Sequence, residues 1–383
     1  MRRWIILLAF LWGVHGSLCG QGVTDQEIDA KTRRGIDLVY NLEFEKAEQE
    51  FGELIRLRPR DPAGHFFHAM VQWWRIIINV DSEEYDDRFM DSLEVVIDLC
   101  DELLEQNEND VHALFFKGGS IGFQGRLKFH RNDYLGAANA GRKALPIVQD
   151  ASTLDPENYD VLLGSGIYNY YAEVIPNQYP FLKPLLLFLP AGDRKKGIEQ
   201  LTAAAEKGKY ASVETSYFLM QIYYAYEKDY AKALALAERL HQRYPGNILF
   251  HKYLGRVYVS LSNWSMVQKT FGEIATRVYK SQRGYNSAAE REAVYYLGLC
   301  DMNIREYDSA LRHFFRCDEL SRQLDTREPS GFMVMTNLKI GMIYDVLSKR
   351  ELAVRQYQKV LDMKEYLNSY KQAEEFMKKP FMQ

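Results

Sequence analysis

The stretch GLCDMNIREYDSALRHF, residues 298–314, carries the pattern that decides the fold of this chain. In it, Gly298, Ala310 and Phe314 follow one another at steps of 12 and 4 residues. The same two steps recur in three further triplets, which are Gly35, Ala47, Phe51; Gly255, Val267, Phe271; and Gly341, Ala353, Tyr357. A spacing that recurs through a chain indicates a repeated structural unit.

Two further markers define the ends of this unit. Pro59 stands 24 residues after Gly35, where it would end a second helix. A polar residue also stands eight positions before a small one in four units, at Asp61, Asp110, Asn158 and Asn247. Asp and Asn accept hydrogen bonds from the free backbone N–H groups of a first helical turn, so the four residues predict four helix starts.

These markers resemble the tetratricopeptide repeat (TPR), in which two antiparallel helices carry a small residue at position 8, alanine at 20, an aromatic residue at 24 and proline at 32. Small residues at 8 and 20 let the two helices approach closely, and we expect the aromatic residue at 24 to fill the gap to the next pair. The resemblance implies an all-α fold, a TPR-type α-solenoid covering residues 21–383.

The register predicts about eight antiparallel helix pairs and a C-terminal helix at about 364–379. The pairs are predicted at 27–58, 62–106, 111–154, 159–208, 214–243, 248–279, 291–324 and 333–363. The second to fourth pairs are enlarged. The clearest insertion runs from Val174 to Gly197, where four prolines exclude one continuous helix.

A second likeness covers the region from Leu162 to Leu201. The stretch GSGIYNYY, the proline-rich apolar insert, GDR and GIEQL follow one another there. This region is similar to a eukaryotic tetratricopeptide family that includes inclusion-body clearance proteins. The likeness implies a non-catalytic helical scaffold.

Residues 1–20 have the pattern of a secretory signal peptide. Arg2 and Arg3 precede an apolar run that ends at Val14, and small residues follow. The run is shorter than the ~20 residues that a membrane-spanning helix needs. Cleavage after Gly16 and cleavage after Gly20 both fit, and we expect an exported protein in the periplasm or cell envelope of a bacterium.

Composition and charge limit the function classes. With 47% hydrophobic and 13% aromatic residues the chain is expected to bury a large core. Its net charge of −4 gives no general attraction for nucleic acid, so no nucleic-acid partner is predicted. Beyond the signal peptide, Cys100, Cys300 and Cys317 leave two interpretations open, a Cys300–Cys317 disulfide or three buried free thiols.

Two motifs suggest chemistry that their context does not support. Gly118, Ser120 and Gly122 form G-x-S-x-G, but the register puts Gly118 at position 8 of a first helix, and a nucleophilic serine needs a strand-to-helix turn. His65 and His68 are predicted to face the partner helix without a third metal ligand. No catalytic residue, no metal and no cofactor is therefore predicted.

The concave surface of such a solenoid, formed by first-helix positions, is the predicted partner-binding site. Its predicted residues are Phe218, Ile222, Tyr226, Lys252, Arg256, Tyr295, Leu299, Met302 and Met342. Lys252 and Arg256 lie one helical turn apart and resemble part of the carboxylate clamp of some TPR domains. The preceding pair offers apolar residues instead of the rest of that clamp, so an anion site and a salt-bridged pair are both open.

We predict an exported, non-catalytic scaffold that binds a protein or peptide partner in this groove. The alternative is a carrier that holds a lipid or another small hydrophobic ligand in a partly enclosed apolar groove, and an open cavity between the middle pairs would favour it. The insert or the C-terminal helix, with Tyr366, Tyr370 and Phe376, would fill the groove in a third case. The insert lacks a basic face, which favours burial over membrane contact. The partner and the oligomeric state are not defined by the sequence.

Overall fold

The computed structural model describes residues 24–178, 180, 183 and 190–382. These residues form 17 α-helices and no β-strand. The predicted signal peptide and the apolar part of the insert lie outside the described residues. The helices, in chain order, are α1 Asp25–Tyr40, α2 Phe44–Leu57, α3 Pro62–Ile78, α4 Asp86–Gln106, α5 Val111–His130, α6 Tyr134–Leu154, α7 Leu162–Gln178, α8 Arg194–Lys207, α9 Ser212–Ile222, α10 Tyr230–Arg243, α11 Ile248–Ser260, α12 Trp264–Tyr279, α13 Ser287–Asn303, α14 Tyr307–Leu324, α15 Gly331–Val346, α16 Arg350–Leu361 and α17 Ser369–Lys378.

The helices form the predicted TPR-type solenoid. Each helix packs against the next, and first helices of neighbouring pairs also pack together, as α1 does with α3 and α13 with α15. Helices α1 to α16 make eight antiparallel pairs, and α17 covers the last pair. The all-α fold and the number of pairs are thus confirmed.

Long helices account for the predicted enlargement of the second and third pairs. Helices α4 and α6 each have 21 residues and α5 has 20, compared with 14 in α10 and 13 in α11. The fourth pair, α7 and α8, is enlarged by the insert between its two helices.

Glycine at position 8 brings the two helices of a pair into close contact. A Cβ atom on Gly255 would lie 2.7 Å from the ring of Phe271, so the aromatic residue at position 24 packs directly on the glycine of its own pair. Phe271 also stacks on Tyr296 of the next pair, with ring centroids 4.5 Å apart, as expected from the register. In the third pair, Val148 takes the place of the aromatic residue opposite Gly118.

Three of the four predicted helix caps are confirmed. The side chains of Asp61, Asp110 and Asn247 accept hydrogen bonds from backbone N–H groups in the first turns of α3, α5 and α11. The fourth residue, Asn158, accepts from the N–H of Asp160 at 3.3 Å in the turn before α7. That helix begins only at Leu162, because the chain makes an additional turn between residues 158 and 162.

The first pair packs against the fifth and sixth pairs, so that the solenoid closes on itself. Asn247 Nδ2 at the start of α11 donates to the carbonyl oxygen of Tyr40 (2.9 Å), which is 207 residues away. The hydroxyl of Tyr244 donates to Asp37 Oδ1 of α1 at 2.5 Å. The Tyr40 ring packs on the ring of Tyr244, with centroids 5.3 Å apart. We call this contact region the seam.

The three cysteines in the described part of the chain are buried free thiols. Cys100, Cys300 and Cys317 are all buried and none forms a disulfide. Burial raises the pKa of the Cys100 thiol to about 12 and those of Cys300 and Cys317 to about 11. Thiols with such pKa values are present almost entirely in the unreactive protonated form at neutral pH.

Candidate ligand cavity

A cavity of about 800 Å³ lies inside the closed part of the solenoid. Its walls come from the first helices of six successive pairs, α1, α3, α5, α7, α9 and α11, together with α6. These helices form the concave surface, which the seam converts from an open groove into a partly enclosed space. Most of the lining is apolar. Its aromatic members include Phe66, Phe67, Trp74, Phe115, Phe123, Tyr171, Tyr217, Phe218 and Tyr226.

The glycine-rich stretch KGGSIGFQGR of α5 forms one wall of the cavity. Two of its glycines allow close packing on α6, since a Cβ atom on Gly118 would lie 2.8 Å from Val148 and one on Gly125 would lie 2.9 Å from Ala140. Gly122 lines the cavity, and a Cβ atom there would meet no atom within 4 Å. Glycine in a helix interior costs roughly 0.5–1 kcal/mol relative to alanine. At Gly122 no helix packing offsets that cost. The absence of a side chain at Gly122 instead leaves space in the cavity.

Ser120 lies within the same stretch, in the middle of α5. It is 0% exposed, and helix continues on both sides of it. The G-x-S-x-G sequence therefore does not form the strand-turn-helix geometry that exposes a nucleophilic serine. The prediction that Ser120 belongs to a helix-packing segment is confirmed.

An ion pair is buried in the apolar lining. Arg126 Nη1 of α5 donates to Glu214 Oε1 of α9 at 2.9 Å, and the two side chains are 17% and 9% exposed. The Arg126 guanidinium lies over the rings of Phe218 and Trp73, 4.1 and 4.6 Å from their centroids. Cation–π contacts of this kind strengthen when water is excluded. Burial and the nearby Glu214 carboxylate raise the pKa of the Tyr40 hydroxyl, which donates to Glu214 Oε2.

A second charged group borders the cavity on α11. Arg256 and Lys252 both face Glu292 of α13, which is only 2% exposed. Arg256 bonds both carboxylate oxygens, with Nη2 2.7 Å from Oε2, whereas Lys252 Nζ lies 3.5 Å from Oε2. Burial alone would lower the pKa of Arg256, but the Glu292 carboxylate raises it above its usual value. Both side chains are thus salt-bridged to Glu292, Arg256 through two hydrogen bonds and Lys252 through one longer contact.

The structure divides the predicted partner-binding strip. Phe218, Tyr226, Lys252 and Arg256 line the cavity. Ile222 lies beside them in sequence but is fully buried in the packing between the fourth and fifth pairs. The strip is not continuous, because the cavity lining on the first helices ends with α11.

The remaining predicted residues belong to the core of the last two pairs. Met302 and Met342 are buried there, and Tyr295 and Leu299 are half-buried against the same core. The C-terminal segment adds to this core, since the ring of Phe376 packs on Tyr357 with centroids 5.7 Å apart. The C-terminal helix thus packs on the eighth pair, and none of its residues is in the lining of the cavity. Partner binding by the strip remains a prediction.

Sequence reasoning missed the most polar residues of the cavity. Arg126 and Glu214 stand 88 residues apart and lie outside the concave positions of the register. Nothing in the sequence signals their pairing. The sequence does contain a signal for the cavity at Gly122. Helix α5 is rich in glycine, and only some of its glycines are needed for the contact with α6.

The two histidines of HFFH have different surroundings. His65 Nε2 lies 3.0 Å from the carbonyl oxygen of Pro59, and burial lowers the pKa of His68. Among the described residues, no group of three or more histidine, cysteine or acidic side chains could hold a metal ion. No helix in the described part of the chain has the length and apolar character needed to cross a membrane.

The helix pairs of this chain form a TPR-like solenoid. No family model matches the chain, and no curated protein matches its sequence significantly. A structure of the human IFIT1 dimer with PPP-AAAA is 13% identical, with a TM-score of 0.42 over 93% of this chain and 87% of that chain. Yeast Tom70 is 12% identical, with a TM-score of 0.39 over 92% of this chain and 88% of that chain.

Proposed function

We propose that this protein is an exported, non-catalytic TPR-type scaffold that holds a small hydrophobic ligand inside its closed concave surface. The observation that carries the proposal is the apolar cavity of about 800 Å³ behind the seam. Small-molecule sites typically have volumes of ~300–1,000 Å³, mostly apolar walls and a few polar groups. The cavity has all three properties, with Arg126 and Glu214 among the polar groups.

Closure of the groove favours a compact ligand over an extended peptide. An extended or helical segment needs a long open groove with a row of side-chain pockets. Here Trp74 of α3 packs on Phe250 of α11 and on Tyr217 of α9, with ring centroids 5.7 and 5.8 Å apart. These contacts join opposite sides of the superhelix and interrupt the path that such a segment would follow.

A fluorescence titration tests the proposal. Trp74 lines the cavity and Trp73 lies beside Arg126, and they are two of the three tryptophans outside residues 1–20. Apolar ligands that enter the cavity are expected to change the tryptophan emission in a saturable way. A series of alkyl and aromatic ligands that never saturates this signal, and never displaces a bound apolar dye, would refute the proposal.

A protein partner is the second candidate, and it concerns the seventh pair. Tyr295 and Leu299 lie outside the cavity at concave positions, and their side chains are only partly buried against the core of the last two pairs. We expect Tyr295→Ala to weaken binding of a protein partner by ~1–2 kcal/mol, because aromatic anchors dominate such contacts. The wild-type protein and the Tyr295→Ala variant are each used as bait to capture a partner from the cell envelope. Titration of the captured protein with each bait then measures the difference in affinity. Equal affinity for both baits would exclude this surface.

Export is part of the proposal and rests on the pattern of residues 1–20. We expect the protein purified from its producing cell to begin at Ser17 or Gln21, corresponding to cleavage after Gly16 or Gly20. Intact-mass measurement and N-terminal sequencing of the periplasmic fraction check this. A protein that retains Met1 and stays with the cytoplasm would contradict export.

The finer likeness to the inclusion-body clearance family stays a proposal as well. The GDR segment of this chain, residues 192–194, has a structural role. The backbone N–H of Arg194 donates to Glu173 Oε2 at 2.7 Å, and the Arg194 guanidinium pairs with Glu227. The segment thus fixes the start of α8 against α7 and against the π-helical turn Tyr223–Glu227 that follows α9. This fits a non-catalytic scaffold.

A further inference from the structure

The charges that border the cavity do not balance. Its lining contains three cationic side chains, Arg126, Lys252 and Arg256, and one carboxylate, Glu214. Glu292 adds a second carboxylate behind Arg256. His130 also lines the cavity, but burial and two nearby arginines lower its pKa to about 4, so it is neutral at neutral pH. One positive charge is left over.

The surplus charge falls on Lys252. Glu214 is bonded by Arg126, and both oxygens of Glu292 are bonded by Arg256. Lys252 Nζ reaches Glu292 only at 3.5 Å, beyond a good N–H···O distance, and its side chain is 16% exposed. Burial lowers the pKa of Lys252, which means that the charged form is destabilised where it stands. An anion in the cavity would remove that penalty.

Hydroxyl groups accompany the cations on the same wall. The rings of Tyr217 and Tyr253 lie 5.7 Å apart, and the Arg256 guanidinium lies 5.2 Å above the Tyr253 ring. Burial raises the pKa of Tyr217, whereas Arg126 and Arg256 both act to lower it. The wall formed by α5, α9 and α11 thus contains the three cations and both tyrosines, whereas most of the remaining lining is apolar.

We infer that the ligand is a long-chain carboxylate whose single negative charge is held at Lys252 and whose alkyl chain occupies the apolar part of the cavity. The inference rests on the proposed function and specifies its ligand. One uncompensated positive charge matches a monoanion. A charge-assisted bond between the ammonium and a carboxylate would satisfy Lys252, and the Gly122 wall and the aromatic residues accommodate the chain.

A ligand series with one chain length and different headgroups tests the inference. The full mature chain is titrated with palmitate, hexadecanol, methyl palmitate and hexadecyltrimethylammonium, each below its aggregation concentration. We expect palmitate to bind at least ~10-fold more tightly than the alcohol and the ester, and the cation to bind weakest. Equal binding of palmitate and hexadecanol would overturn the inference but leave the proposed function intact. Failure of all four ligands to bind would overturn both.

Two substitutions at Lys252 connect the headgroup to this side chain. Lys252→Met is expected to weaken palmitate binding ~10-fold or more and to leave hexadecanol binding unchanged within about twofold. Lys252→Arg keeps the positive charge and is expected to keep most of the preference for palmitate. Neither substitution removes the bonds between Arg256 and Glu292, so both variants should fold.

Lys339→Met is the matched control. Lys339 is also a half-buried lysine whose pKa burial lowers, but it lies on α15, outside the cavity lining. We expect it to leave the preference for palmitate over hexadecanol unchanged. If Lys252→Met keeps the full preference while its melting temperature equals that of the wild type, the anion is not held at Lys252 and the inference is wrong.

Discussion

Gly122→Phe is expected to weaken ligand binding strongly without loss of stability. Gly122 lines the cavity, and a side chain there has free space ahead of it. A phenylalanine ring brings roughly 150 Å² of apolar surface into the cavity. At ~25 cal/mol per Å² this equals about 4 kcal/mol of contact that a ligand would lose, so affinity should fall on the order of 100-fold or more. Phenylalanine is also a better helix former than glycine, which adds roughly 0.5 kcal/mol to stability.

Gly52→Phe provides the control for this variant. Gly52 lies on α2 and is exposed, and a Cβ atom there would likewise meet no atom within 4 Å, but the residue is not part of the cavity. Both variants should melt at or slightly above the temperature of the wild type in circular dichroism. Only Gly122→Phe should lose the saturable tryptophan signal with palmitate. Undiminished binding by a folded Gly122→Phe chain would show that ligands do not occupy the cavity.

The local features of the fold could be predicted because they depend on residues close in sequence. The spacing of Gly298, Ala310 and Phe314 reports contacts within one helix pair, and Asp61 and Asp110 cap the helices that they precede. Such signals repeat along the chain, and their repetition fixes the register. The number of pairs and their bounds followed from it.

Closure of the solenoid could not be predicted in the same way. Asn247 illustrates the difference, since its side-chain oxygen caps α11 and its side-chain nitrogen donates to the carbonyl oxygen of Tyr40. The first contact is local and follows from the sequence pattern. The second depends on how small rotations between successive pairs add up over five repeats, and no short pattern records that sum.

The same reason explains which cavity residues were found. Phe218, Tyr226, Lys252 and Arg256 occupy concave positions that the register defines, and they do line the cavity. The sequence left an open groove and a partly enclosed groove as alternatives, because only the seam encloses the space. The buried charges Arg126 and Glu214 meet only in the closed arrangement.

Gly298→Leu is expected to cost about 3 kcal/mol or more in the free energy of unfolding. A Cβ atom on Gly298 would already lie 2.8 Å from the ring of Phe314, which is fully buried and cannot move aside freely. Inserting methylene groups into a packed core costs typically ~1–3 kcal/mol, and here the added side chain also separates α13 from α14. Chemical denaturation of the wild type and the variant measures the difference.

A double substitution separates overpacking from other effects of the change. Phe314→Ala alone leaves a cavity and should cost ~3–5 kcal/mol. In the Gly298→Leu, Phe314→Ala chain the leucine occupies the space of the missing ring, so the combined cost should be well below the sum of the two single costs. Gly52→Leu, on an exposed face with no atom within 4 Å, should leave stability equal or slightly higher. If the losses in the free energy of unfolding at 298 and 314 are additive, glycine at position 8 and the aromatic residue at position 24 do not pack against each other. The repeat register built on their spacing would then be wrong.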